Sequence, residues 1–280
     1  MKFTKMHGAG NDYVYVNAFK QDRDWPEISR MISDRHTGIG ADGLIIAIPS
    51  EKADFQMRMF NADGSEGEMC GNGIRCLVAF AIDEGIVRKS VEMKTVETGA
   101  GILTVTPEFN GSEMTNASVG MGYPVFEPSK VPVNLSVGNW PILDYPLMVD
   151  GYALELTFVS MGNPHAVAFI DDDVDNFPLE SVGPKVENHS LFPNKVNFEI
   201  TNVLTESHVK TRVWERGSGI TMACGTGACA VVAAARLKNL VGDCVDVELP
   251  GGVLGVRWPG CGELLMRGPV KTVFKGEWEG

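Results

Sequence analysis

The chain predicts a mixed α/β (α+β) fold of two pseudo-symmetric domains, each a curved sheet or barrel wrapped around a central apolar helix. Three observations carry this. A cysteine motif occurs twice, as Asn61-Ala-Asp-Gly-Ser-Glu-Gly-Glu-Met-Cys70-Gly-Asn-Gly and Glu215-Arg-Gly-Ser-Gly-Ile-Thr-Met-Ala-Cys224-Gly-Thr-Gly. A stretch with almost no polar residue follows each copy, and short strand patterns fill most of the remainder. Placing Cys224 on Cys70 sets an offset of 154, which also brings Arg212 onto Arg58, Glu215 onto Asn61, Gly225 onto Gly71, Gly227 onto Gly73 and Asn197 onto Gly43. Asn163 meets Asn11 at 152, so a small indel separates that echo, and the pattern reads as an internal duplication.

Two domains also follow from size, since 280 residues at about 150 per domain give two cores. The expected division is 1–122, carrying Cys70 and rejoined by 269–280, and 123–268, carrying Cys224. Pro124, Pro128, Pro132, Pro141 and Pro146 crowd the stretch between them, where a linker without regular structure is expected.

The strand signals are short alternating or β-branched runs bounded by Gly, Pro or Asn, over 2–5, 13–17, 44–49, 54–60, 90–95, 101–107 and 113–120. The second half repeats the style over 152–160, 166–170, 196–204, 208–214, 244–249, 252–258 and 262–267. Helices are expected over 25–34, with Pro26 in the first turn, and over 178–187. The informative helices start just after the cysteines, with 74–82 and 228–235 apolar at nearly every position. Such a helix has no face for water and must be enclosed by the strands of its own half.

The net charge of −12 argues against a nucleic-acid partner, which needs clustered Lys and Arg. The N-terminus has no apolar signal region, and the longest apolar run, 228–235, is far short of the ~20 residues of a membrane span. The expectation is a soluble cytoplasmic protein whose six cysteines are free thiols.

Cys-Gly-Asn-Gly and Cys-Gly-Thr-Gly place glycines where the chain enters a helix. There the first amides and the macrodipole favour an anion, and the same field lowers a thiol pKa from about 8.5. Cys70 and Cys224 are therefore read as a base or nucleophile. Cys76, Cys229, Cys244 and Cys261 read as packing residues. The pairs Cys70/Cys76 and Cys224/Cys229 miss the usual zinc-ligand spacing, so no metal is expected, and a dithiol redox site lacks the C-x-x-C arrangement.

The segments Met6-His-Gly-Ala-Gly-Asn-Asp-Tyr13, Asn61-Ala-Asp-Gly-Ser, Met69-Cys-Gly-Asn-Gly73, Met161-Gly-Asn-Pro-His165, Glu215-Arg-Gly and Ala223-Cys-Gly-Thr-Gly227 closely resemble the diaminopimelate epimerases. The resemblance runs in order along most of the chain. It implies a pyridoxal-independent enzyme, with no cofactor, interconverting LL- and meso-2,6-diaminopimelate in lysine and peptidoglycan biosynthesis, from a site in an interdomain cleft. It further implies Cys70 and Cys224 as the acid/base pair, with Cys70 delivering the proton and Cys224 removing it in one direction, and His165 and Glu215 as tuners of their pKa. Binding of the substrate would fall to Asn11, Asn61, Asn163, Asn197, Glu215 and Arg216, and to the amides of Gly71, Asn72, Gly225 and Thr226. A homodimer is implied by the same analogy.

Two positions depart from the family pattern. Gly43 stands where some members carry a substrate-contacting glutamine, and Ile220 where a glutamate is expected. A proline or hydroxyproline racemase is the nearest competing reading, and the asparagines with Glu215 and Arg216 favour a substrate with a second charged amino acid head. A non-catalytic amino-acid-binding protein would have no use for two activated thiols.

Overall fold

The computed structural model describes residues 1–135 and 139–279. Strands β1 (Lys2–Gly8) and β2 (Asn11–Asn17) form an antiparallel hairpin whose two-residue turn, Ala9 and Gly10, has positive φ at both positions. Helix α1 (Trp25–Ser33) begins where Asp24 accepts the Glu27 N–H and Pro26 presets the first turn. It leads to β3 (Gly43–Ile48), parallel to β2 with Tyr13 beside Gly43. Next come β4 (Phe55–Asn61), antiparallel to β3, the short β5 (Glu66–Gly67), and helix α2 (Gly71–Asp83). Strand β6 (Lys94–Thr98) runs parallel to β4 and opens a meander with β7 (Gly101–Asn110) and β8 (Glu113–Gly120).

The second half repeats this grammar after an extra hairpin, β9 (Tyr145–Val149) with β10 (Tyr152–Ser160). Strand β11 (Pro164–Phe169) passes through helix α3 (Leu179–Glu187) to β12 (Asn197–Thr205), parallel to β11 with His165 beside Asn197. Strand β13 (His208–Glu215) is antiparallel to β12, and β14 (Gly219–Ile220) folds back on it. Helix α4 (Gly225–Leu237) then precedes β15 (Cys244–Leu249), parallel to β13, and β16 (Gly252–Arg257). Strands β17 (Leu265–Pro269) and β18 (Lys271–Glu277) end the chain, β18 antiparallel to β1. The chain divides into two compact units, Met1–Gly120 with Arg267–Gly280, and Met121–Met266.

Each unit wraps its strands around the expected apolar helix. Helix α2 packs against β1, β2, β3, β7 and β8, and is buried from Gly71 to Ala81. Helix α4 packs against β10, β11, β12, β15 and β16, with its alanines and valines fully enclosed. Burial of each large apolar side chain contributes about 1.5–3 kcal/mol, which is why these helices need no polar face. Both stop the same way. The N–H of Gly85 bonds Ile82 O and that of Ile86 bonds Ala81 O; Asn239 and Leu240 do likewise to Arg236 O and Ala235 O, with Gly85 and Asn239 at positive φ.

Alternation sorts each sheet into two faces. Leu44 and Ile46 join Trp25, Ile28 and Ile32 on the α1 side, while Ile45 between them points toward Gly73 of α2. In β12, Phe198 and Ile200 join Val182 and Val186 on the α3 side, and the inward position between them is Glu199.

The strand expected at 90–95 forms instead at Lys94–Thr98, since 90–93 is an exposed loop with Val91 and Met93 in solvent and Val91 O taken by the Lys94 ammonium. That expected at 262–267 forms at Leu265–Pro269, because positive-φ Gly260 and Gly262 shape a loop closed by Trp258 Nε1 donating to Gly262 O. The proline-rich stretch was expected to hold no regular structure, yet it contains β9. Among the described strands β9 pairs with β10 alone, so Pro146 lacks an N–H where no ladder bond is lost. Part of that stretch, 136–138, lies outside the described residues. Cys244 and Cys261 are exposed rather than packed: the first starts β15 on its outer face, the second sits in the glycine loop. No helix among the described residues is long and apolar enough to cross a membrane.

Candidate active site

Both motif cysteines are N-caps. Cys70 (φ −133°, ψ 118°) and Cys224 (φ −112°, ψ 112°) leave the helix path, and each sulfur accepts the N–H three residues on, Gly73 or Gly227, at 3.3 Å. A thiol thus occupies the place where serine or aspartate usually caps a helix. The first-turn amides, including those of Gly71, Asn72, Gly225 and Thr226, have no acceptor within their own helix.

Beside Cys70 stand the neutral side chains of Asn11 and Tyr13. Its thiol donates to Asn11 Oδ1 at 3.1 Å, and Asn11 Nδ2 donates to Asp42 Oδ2 at 2.7 Å, which fixes the amide with its oxygen toward the sulfur. Arg35 bridges Asp42 and Asp12 at 2.9 and 2.8 Å, and Lys5 also pairs with Asp12. Burial alone would raise the Asp12 carboxyl, but Arg35 and Lys5 outweigh it and hold it below the usual range. The Tyr13 hydroxyl also interacts with Cys70 and Asn11; burial first, then the Cys70 charge, pushes its pKa far up. Asn61, at the end of β4, spends Nδ2 on Ser65 Oγ at 2.9 Å, and the Asn72 side chain accepts from the buried Arg75.

Around Cys224 the partners are charged. Cys224 is 5% exposed, and its sulfur lies 3.5 Å from Thr226 Oγ1. Asn163 Nδ2 donates to that same oxygen at 3.2 Å, Asn163 Oδ1 is 2.9 Å from His165 Nε2, and His165 Nδ1 is 2.7 Å from Glu199 Oε1. His165 and Glu199 are fully buried, and Glu199 Oε2 has no hydrogen-bond partner among the described residues. A buried acceptor left so costs about 1–3 kcal/mol, which packing alone would not select. Glu215, at the end of β13, accepts from the Thr221 hydroxyl, and its pKa is raised chiefly by burial.

The sequence led us to expect both thiols lowered by the helix dipole. For Cys224 the opposite holds: burial first, then the carboxylates of Glu215 and Glu199, push it well above the ordinary thiol value, against donation from Thr226 and Gly227. Cys76, enclosed in α2, is pushed up to about 11 by burial and is inert.

Other expected binding residues are occupied. Asn197 donates to Pro164 O at 2.9 Å and accepts the Arg216 N–H at 2.8 Å, so it positions the Arg216 backbone. The Arg216 side chain is exposed and donates to Asn194 O at 3.1 Å. The Gly43 departure is built into the backbone, because a Cβ there would lie 2.2 Å from Phe60 O. Ile220 is exposed on β14, opposite Trp214. Among the described residues no group of three or more His, Cys, Asp or Glu could hold a metal ion.

Glu199, Tyr13 and Asp42 were missed from sequence. The repeat carried a signal for two of them: the 154 offset sets Glu199 on Ile45, and the 152 offset sets His165 on Tyr13.

Twin halves of this kind, each a sheet wrapped around a helix, define a fold shared with solved proteins. A PhzF-family phenazine biosynthesis protein of Bacillus anthracis superposes with a TM-score of 0.71 at 16% identity, over 100% of this chain and 99% of that one. A hydroxyproline epimerase of Agrobacterium vitis gives 0.72 at 13% identity, over 99% and 90%. Sequence narrows the class. The diaminopimelate epimerase family model matches residues 3–127 and 157–273, and a diaminopimelate epimerase of Methanococcus maripaludis is 49% identical over 99% of both chains. The chain belongs to the diaminopimelate epimerase family.

Proposed function

We propose that the chain is a pyridoxal-independent isomerase interconverting LL- and meso-2,6-diaminopimelate by proton transfer at the α-carbon, serving lysine and peptidoglycan synthesis. The observation that carries the reading is the doubled thiol N-cap within a chain of this family. Inverting a carbon by proton transfer needs a base on one face and an acid on the other, and one thiol from each half supplies them. Cys70 delivers the proton and Cys224 removes it in one direction, and the roles exchange in the other. Glu215, whose carboxyl interacts with Cys224, is placed to take the thiol's proton as Cys224 becomes a base.

Charge that builds toward the substrate carboxylate meets the first-turn amides of α2 and α4, where one preorganised donor is worth about 10²–10³ in rate. Asn11, Asn61, Asn163 and the Arg216 guanidinium hold the substrate, and Asn197 acts through the Arg216 backbone. We take the two compact units as the two epimerase halves, the enzyme as a homodimer, and its place as the cytoplasm. The net charge of −12 disfavours nucleic-acid and anionic-membrane partners.

The test is incubation with LL-diaminopimelate in D₂O, under reducing conditions and without pyridoxal phosphate, followed by mass spectrometry. Deuterium at the α-carbon with formation of the meso isomer is expected, with proline left unchanged. Absence of exchange overturns both the activity and the two-base mechanism.

A further inference from the structure

Two hydrogen-bond chains end on the two sulfurs with opposite polarity. In the first half Asn11 turns its oxygen to Cys70, so that sulfur must donate. In the second half Thr226 Oγ1 receives the Asn163 N–H and lies 3.5 Å from the Cys224 sulfur, an arrangement in which its own proton can turn to that sulfur. Asn163 can point that way only if His165 Nε2 carries a proton for Oδ1. With Nδ1 2.7 Å from a fully buried carboxylate as well, both ring nitrogens face acceptors, an arrangement that suits an imidazolium.

We propose that Glu199 is a positioning residue for Cys224: it holds His165 doubly protonated and thereby aims an unbroken run of donors, through Asn163 and Thr226, at the sulfur. This rests on the epimerase reading for its catalytic meaning, but the geometry stands apart from it. The titratable groups that face one another around the start of α4 are His165 from β11, Glu199 from β12, Glu215 from β13 and Cys224 itself. Glu155 on β10, Asp246 on β15 and Arg257 on β16 are turned to solvent. The approach of Glu199 depends on Gly227, where a Cβ would stand 2.9 Å from Oε1 and 3.3 Å from the Cys224 sulfur. The equivalent space beside Gly73 is filled by Ile45, so the first half has no such group.

The test is a double-mutant cycle of Glu199→Gln and Thr226→Val in the full-length protein, with thermal melts confirming that each variant folds. Each substitution is expected to lower kcat about 10²-fold with KM little changed, and the double variant to be no worse than the poorer single, because both break one chain. Independent of turnover, ¹⁵N spectra of histidine-labelled protein should show His165 protonated on both nitrogens in wild type and neutral in Glu199→Gln. In [3-¹³C]cysteine-labelled protein the Cys224 titration should move upward in Thr226→Val, which removes the last donor of the chain, and that shift should be smaller in the Glu199→Gln background. Multiplying kcat losses, a neutral His165 in wild type, or a Thr226→Val shift of Cys224 that is unchanged in the Glu199→Gln background each overturns the proposal. If turnover of diaminopimelate is absent while the spectra behave as stated, the epimerase reading fails and the positioning role stands.

Discussion

The segment around Cys70 and the segment around Cys224 share a backbone and differ in charge. Each thiol caps a buried helix, each helix follows an antiparallel strand pair, and each pair is fed by a parallel crossover strand. On that common frame the first half sets Tyr13, Ile45 and Asn61 where the second sets His165, Glu199 and Glu215. The helix start supplies the place for a sulfur anion, and the strands decide what that anion costs. A duplicated fold can therefore keep two thiols at matched positions while surrounding them with different side chains.

The largest effects test the shared part. Cys70→Ala and Cys224→Ala should each lower kcat for epimerisation about 10⁴-fold, followed by chiral chromatography of the LL and meso isomers. A variant of either that turns over normally breaks the pairing. Next comes the charged side: Glu215→Gln should cost about 10²-fold in kcat, while Asn61→Asp should act mainly on KM, since only the second half is assigned a carboxylate in proton transfer. Equal kcat losses would erase the distinction between the halves.

Gly227→Ala should lower stability by about 1–3 kcal/mol in urea unfolding, because the added methyl meets a carboxylate pinned by His165. Tyr13→Phe should cost about fivefold in kcat/KM, close to one hydrogen bond of about 1 kcal/mol. The smallest effect is in pH. Cys224 is raised in the folded protein, so its contribution to stability is complete below the unfolded thiol value of about 8.5 and is lost as pH rises toward the folded value. Melting temperature should fall between about pH 8 and pH 10, and fall less in Cys224→Ala. Cys76, also raised, accounts for part of the remaining fall.

What could be read from sequence was local. The cap, the glycines and the apolar helix lie within a dozen residues of one another, and the alternation that marks most strands spans only a few more. What escaped was assembled across strands. Glu199 sits in Phe198-Glu199-Ile200, which reads as an ordinary alternating strand with a solvent-facing acid; only the parallel pairing of β11 with β12 reveals that its face is the covered one. The thiol affinity of Cys224 was misjudged for the same reason, because the dipole is encoded beside it and the two carboxylates arrive from β12 and β13. Strand β9 was hidden by Pro146, whose missing donor matters only if both edges of a strand are paired.

The closed space at Gly43 bears on how this sequence can change. A methyl at that position would collide with Phe60 O, a carbonyl also held by the Ser29 hydroxyl, and β3 pairs with β4 through that very residue. A larger residue could not be introduced there by a single substitution, since the strand behind it would have to move first. Gly43 thus acts as a ratchet in sequence space: any contact that a side chain could make from that position must be supplied by other residues.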